Sequence, residues 1–258
     1  MKRKKKIKSG EASMNLMGFG KIHKGQYEVN VNFNNAGINI TEDVVRQINE
    51  INGATDIITL DSRTGILKYK LETIVPPSKN IDNEKTKLLF ILGNPATHSI
   101  ENGMFFFSQA GENHHRHKFW GKLAKTCLLK NFELKTRKQE AKIRRELILT
   151  GNTNNRFVIG FTTFYSMPTP TGIHGNKYCD SKDVEKFFNS ITLLDKIKEE
   201  EFNRINAYPF VEDAILITTV KSAYQYLSKK INDGRVKCWP IRGKGSGWKD
   251  LRKILDEI

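Results

Sequence analysis

The chain has 258 residues, 38% of them hydrophobic and 10% aromatic, enough for one large α/β domain with or without a small addition. Lys and Arg number 43 against 28 Asp and Glu, and the resulting +15 at pH 7 favours a polyanionic partner such as nucleic acid or an anionic membrane. No apolar run reaches the roughly 18 residues of a membrane span, the basic start MKRKKKIK lacks the apolar stretch of a secretory signal, and three dispersed cysteines without a CxxC pair disfavour a zinc or iron–sulfur site.

An intracellular protein is therefore expected. Residues 1–20 open on a lysine run and continue polar and glycine-rich, so they are expected to form a disordered basic tail. The run from Lys2 to Lys8 reads equally as a solvated arm and as an arm that contacts phosphate or directs nuclear import. Residues 21–80 follow as a small α+β appendage. YEVNVNF (27–33) alternates apolar and polar positions, the pattern of a half-exposed strand. Thr41 is placed to cap an amphipathic helix carrying Val44, Val45, Ile48 and Ile51. DIITL (56–60) and ILKYKLETI (66–74) flank a turn at 62–65, and Pro76-Pro77 close the unit.

From residue 81 the pattern changes. KLLFIL (87–92) is continuously apolar, as expected of a strand buried on both faces. RFVIGFTTF (156–164), AILITT (214–219) and RVKCW (235–239) are further strand candidates. Between and after them the apolar residues recur at helical spacing: Val184, Phe187, Phe188 and Ile191; Val220, Ala223, Tyr224, Leu227 and Ile231; Trp248, Leu251, Leu255 and Ile258. Alternating strands and helices predict a three-layer α/β/α fold with a four-stranded parallel sheet over 81–258. The segment 130–152 is a basic helix candidate with Lys135, Arg137, Lys138, Lys142, Arg144 and Arg145. It reads as a solvated face or as a phosphate-contacting insertion.

Ligands of open α/β sheets bind beyond the carboxyl ends of the strands, and those ends carry unusual sequence here. The first strand leads into LGNPATHS (92–99), GMFFF (103–107) and HKFW (117–120); the second continues as GFTTFYSMPT (160–169). The third ends in VKSAY (220–224) and the fourth in CWPIRGKGSG (238–247). In order and spacing these segments resemble the uracil-DNA glycosylase superfamily, nearest its mismatch-specific uracil/thymine branch, over residues 86–258. Asn94-Pro95, Gly103, Phe106 and Phe119-Trp120 match the water-activating segment; Gly160, Thr162, Pro168 and Thr169 match the second motif. Four departures stand beside these matches. Gly93 directly precedes the asparagine, the segment between Phe106 and Phe119 is longer than the family's, Thr163 occupies a position held by Asn or Lys, and Trp239 stands where His or Asn precedes the loop proline.

The resemblance implies a monofunctional DNA glycosylase that flips out uracil or a related deaminated or mismatched base and hydrolyses its N-glycosidic bond. By position, Asn94 would orient the water, and Phe106, Thr163 and Trp239 would surround the base. Pro240, Ile241, Arg242, Lys244 and Ser246 would enter the gap and contact DNA. An asparagine is no general base, so the reaction would be strongly dissociative, with water adding late. The expected partner is DNA, single- or double-stranded, bound by a monomer without a membrane and without a cofactor. His114, His115 and His117 have no acidic or cysteine partners at fixed spacing, so no metal is expected and a DNA-facing loop is. Gly243, Gly245 and Gly247 lack the order of a nucleotide-hydrolysing phosphate loop. The competing expectation is a catalytically silent nucleic-acid-binding protein that keeps the fold. Trp239 and Thr163 favour it; the spacing of Asn94 and Phe106 favours the enzyme.

Overall fold

The computed structural model describes residues 15–23, 26–52, 56–82, 84–107, 118–130, 136–153, 156–170, 179–239 and 247–258. Two sheets organise them. The first is antiparallel, in the order β1-β2-β4-β3, from β1 (Met17–His23), β2 (Gln26–Asn32), β3 (Ile58–Asp61) and β4 (Ile66–Glu72). Alternation along β2 and β4 puts Val29, Val31, Leu67, Tyr69 and Leu71 on one buried face. α1 (Glu42–Asn52) covers that face with Val44, Ile48 and Ile51, and Thr41 Oγ1 accepts from Val44 N at 3.3 Å, the cap expected of it.

The expected tail over 1–20 is corrected at its end. Leu16 and Met17 are buried, and residues 17–20 already lie in β1, paired to β2; residues 1–14 lie outside the described residues.

The second sheet is parallel, with β5 (Thr86–Leu92), β6 (Phe157–Thr163), β7 (Ile215–Thr218) and β8 (Val236–Cys238) in the order β6-β5-β7-β8. All four strands read from sequence are present within a residue or two. Around them run α2 (Thr97–Glu101), α3 (Lys118–Lys125), α4 (Arg137–Leu149), α5 (Ser181–Ser190), α6 (Leu194–Asn206), α7 (Lys221–Ile231) and α8 (Gly247–Asp256). Successive side chains of β5 feed different cores. Leu88, Phe90 and Leu92 pack with Phe119 and Leu123 of α3, Ala141 and Ile148 of α4, and Leu251 and Leu255 of α8. Leu89 and Ile91 belong to the cluster that holds Val184 and Phe187 of α5, Ile197 and Ile205 of α6, and Ala223 and Leu227 of α7. The buried face of the first sheet joins this second cluster.

The two sheets are also joined by polar contacts. Ile74, just past β4, pairs antiparallel with Phe161 and so lines the outer edge of β6. Thr73 and Thr162 share a buried hydroxyl contact of 3.0 Å, and the buried Glu72 carboxyl group meets the Arg145 guanidinium of α4. Among the described residues no helix is long and apolar enough to cross a membrane.

The strand order points to one edge of this sheet. From β5 the chain passes to β6 on one side, and from β7 to β8 on the other. In open α/β sheets of this kind ligands bind beyond the carboxyl ends of the strands where connections diverge, here the ends of β5 and β7.

Candidate active site at the carboxyl edge

The β5 and β6 strands do not part where their regular pairing ends. Phe164 N donates to Leu92 O at 2.7 Å and Tyr165 N to Gly93 O at 2.9 Å. After a short excursion the segments meet again: Thr169 N donates to Pro95 O at 3.1 Å and Thr97 N to Thr169 O at 3.0 Å. The Asn94-Pro95 and Pro168-Thr169 motifs, read separately from the sequence, are thus stitched side by side.

Gly93 explains one departure from the family pattern. A Cβ on it would lie 3.0 Å from Ser181 Oγ and 3.1 Å from a Val220 methyl. Both are tight contacts, so glycine lets the starts of α5 and α7 close on the end of β5.

Asn94 is half-buried just past the carboxyl end of β5. Its Nδ2 donates to Thr169 Oγ1 at 2.9 Å, with Pro95 O at 3.3 Å and Met167 O at 3.4 Å. Carbonyl oxygens only accept, so the chemistry assigns the nitrogen to this side of the amide. The acceptor Oδ1 is then the atom on the opposite branch. A fixed acceptor can orient one water; it cannot take its proton away.

Phe106 has a left-handed backbone with φ of 51°, unusual for an aromatic residue. Two groups of α3 secure it: its ring lies 4.3 Å from that of Phe119, and its carbonyl accepts from Trp120 Nε1 at 3.4 Å. The Phe119-Trp120 pair that completes the family pattern is therefore the support of Phe106. On the other flank of the loop, His98 Nε2 donates to Phe107 O at 2.8 Å. Burial lowers the His98 pKa, so the ring is neutral at pH 7 and must carry its proton on Nε2 to make this bond.

Thr163 and Trp239 are both fully buried. The Thr163 Oγ1 has no hydrogen-bond partner among the described residues, and leaving a buried hydroxyl unpaired costs about 1–3 kcal/mol. Its carbonyl accepts from Arg204. Trp239 departs from the base-contacting role that its position implies. Its backbone N donates to Thr218 O at 2.7 Å, its Nε1 donates to Gly247 O at 2.6 Å, and its ring packs on Phe90 and Phe119. It bolts the end of β8 to the start of α8. Pro240, Ile241, Arg242, Lys244 and Ser246 lie outside the described residues, as do His114, His115 and His117.

Sequence reasoning missed the support beneath the β6 loop. Glu201 and Arg204 of α6 are buried and paired at 2.6 Å. Glu201 accepts from both Ser166 N and Ser166 Oγ, and Arg204 donates to Thr162 Oγ1 and Thr163 O. Ser166 spends its proton on the carboxylate, so it accepts from Tyr69 OH of β4, 2.9 Å away. The first sheet therefore reaches the loop that holds Thr169. Spacing was the available signal, because Ile197, Glu201, Arg204 and Ile205 share one helical face. Glu185 makes a similar tie, accepting from Tyr165 OH at 3.0 Å and Ser222 Oγ at 2.8 Å, and burial with this carboxylate holds the Tyr165 hydroxyl protonated.

No family model matches the chain, and no curated protein matches it. The chain is a mixed α/β protein with a four-stranded parallel sheet and helices around it.

Proposed function

We propose that the chain is a DNA glycosylase of the uracil-DNA glycosylase type, acting on uracil or a related deaminated or mismatched base. We read its two core clusters as the interfaces of a three-layer α/β/α domain, with residues 21–80 as an N-terminal appendage. One observation carries the reading: Asn94 of the first motif is hydrogen-bonded to Thr169 of the second, at the carboxyl edge where the strand connections diverge. Neighbouring strands bring the two segments together, and the side-chain bond from Asn94 to Thr169 joins the motifs beyond that pairing.

In this mechanism the base leaves the stack, at a cost of a few kcal/mol, and its flat face is received by Phe106. Asn94 Oδ1 orients a water toward the sugar carbon as the glycosidic bond breaks. No general base is required: the leaving base departs as an anion ahead of water attack, DNA phosphates offset the charge on the sugar, and the proton lost by the added water passes to the departed base or to solvent. The 240–246 segment is proposed to fill the vacated gap, with Arg242 and Lys244 on phosphates.

The enclosure of Trp239 favours a second reading. At the family's His or Asn position this chain has a core residue, and Thr163, at the end of β6, is equally enclosed. A protein that kept the fold and binds nucleic acid without excising a base fits both facts. The two readings separate on oligonucleotides carrying a single uracil, hypoxanthine, xanthine or G·T site, followed by alkaline cleavage of abasic sites. Cleavage at any one of them supports the enzyme; an intact panel with retained DNA binding supports the silent protein.

A further inference from the structure

The chain has three tryptophans, and two of them, Trp120 and Trp239, are enclosed in the aromatic core. Trp248 differs. The helical pattern places it on the apolar stripe of α8, yet that stripe is carried by Leu251 and Leu255, while Trp248 is half-buried one turn earlier. Its neighbours are cations: Lys125 Nζ lies 5.7 Å and Lys249 Nζ 5.9 Å from its ring centroid. Lys122 approaches the same corner, with its Nζ 2.8 Å from where a Cβ on Gly247 would be. The Gly247 carbonyl in turn accepts from Trp239 Nε1, which fixes this corner to the end of β8. The cluster therefore sits at the carboxyl end of β8, the same edge of the parallel sheet at which Asn94 follows β5.

The charge of the surrounding helices is lopsided. α3, α4 and α8 hold eleven Lys and Arg against four Asp and Glu; α5, α6 and α7 hold eight against six. The side that presents the half-buried tryptophan is the side that attracts a polyanion.

We propose that Trp248 with Lys125 and Lys249 forms a platform for single-stranded nucleic acid, one unpaired base stacking on the indole and the lysines meeting adjacent phosphates. Both lysines are exposed and end long flexible stems, so they can swing from ring to phosphate. The exchange is favourable because base stacking on an aromatic side chain is worth more than an exposed cation–π contact. This assignment rests on the α3–α8 corner and not on base excision, and it holds whether or not the chain is an enzyme.

Intrinsic fluorescence tests it, since Trp248 is the tryptophan a ligand can reach. The full chain is titrated with an undamaged single-stranded oligothymidylate while emission is followed. The parent should be quenched as the strand binds. Trp248→Leu should lose the quenching and bind roughly tenfold more weakly, with Trp248→Phe intermediate and an unchanged thermal midpoint showing that both variants are folded. Replacing Lys125 and Lys249 together by Gln should reduce the steepness of the log–log salt dependence by about 0.7 for each phosphate that is no longer neutralised. Binding without quenching, or equal affinity for parent and Trp248→Leu, would overturn the proposal. So would quenching by anionic phospholipid vesicles with none by the oligonucleotide, which would make the corner a membrane contact.

Discussion

On the α5–α7 side of the parallel sheet, the residues that reach the loops of the candidate site are polar and buried. Glu201, Arg204, Ser166 and Tyr69 form a continuous chain, and Glu185 ties Tyr165 to Ser222. On the α3–α4–α8 side, the corresponding residues are rings. Phe90, Phe119, Phe161, Trp120 and Trp239 lie within contact of one another, and Phe106 rests on Phe119. The difference separates two tasks. Directional hydrogen bonds set the path of the β6 loop, which must hold Thr169 against Asn94. Broad apolar contact supports the Phe106 ring, which the proposed function uses to receive a base, while those helices carry the larger excess of Lys and Arg.

The largest effect expected from this contrast is on stability. Arg204→Ala leaves the Glu201 carboxylate buried without its partner and should destabilise the fold by about 3–5 kcal/mol, read from denaturant midpoints. A destabilisation of less than about 1 kcal/mol would mean that the network is decorative.

A second test uses pH and lies where the two sheets meet. Burial pushes the Glu72 carboxyl up to about 8, with the Arg145 guanidinium acting in the opposite direction. The folded chain thus keeps a proton that the unfolded chain sheds near 4.5, so this group's stabilisation is present below that pH and is lost as pH rises toward 8. Glu72→Gln should flatten the fall of thermal midpoint between those limits. An unaltered slope would show that Arg145 keeps Glu72 ionised throughout.

The smallest effect concerns the charged surfaces. Lys138 and Lys142 on α4 are exposed, as is Lys229 on α7. Neutralising either α4 lysine should lower the steepness of the salt dependence on duplex DNA by up to about 0.9, while Lys229→Gln should leave it unchanged. Equal effects on the two sides would erase the proposed division.

The elements that are legible in the sequence are those whose own side chains specify them. The apolar run 87–92 announces a strand buried on both faces, and Val184, Phe187 and Phe188 announce the core face of α5. β1 is not legible. MGFGKIH has little alternation, and its strand conformation comes from pairing with the edge of β2. α6 is obscured for another reason: Glu201 and Arg204 occupy its core stripe, so a buried ion pair masquerades as a solvated face. At the site, Asn94 and Thr169 can be found because short motifs carry their neighbours with them. The burial of Trp239 is not legible, because sequence position does not tell a ring that lines a cavity from one that fills a core.

The central claim is that Asn94 orients the water for base release. Its most direct test is single-turnover release of uracil from matched single- and double-stranded oligonucleotides by the parent and by Asn94→Ala, with DNA affinity measured alongside. The account predicts measurable release by the parent, a rate lower by about 100-fold or more in the variant, and nearly equal affinities. Equal rates for the two proteins would contradict it.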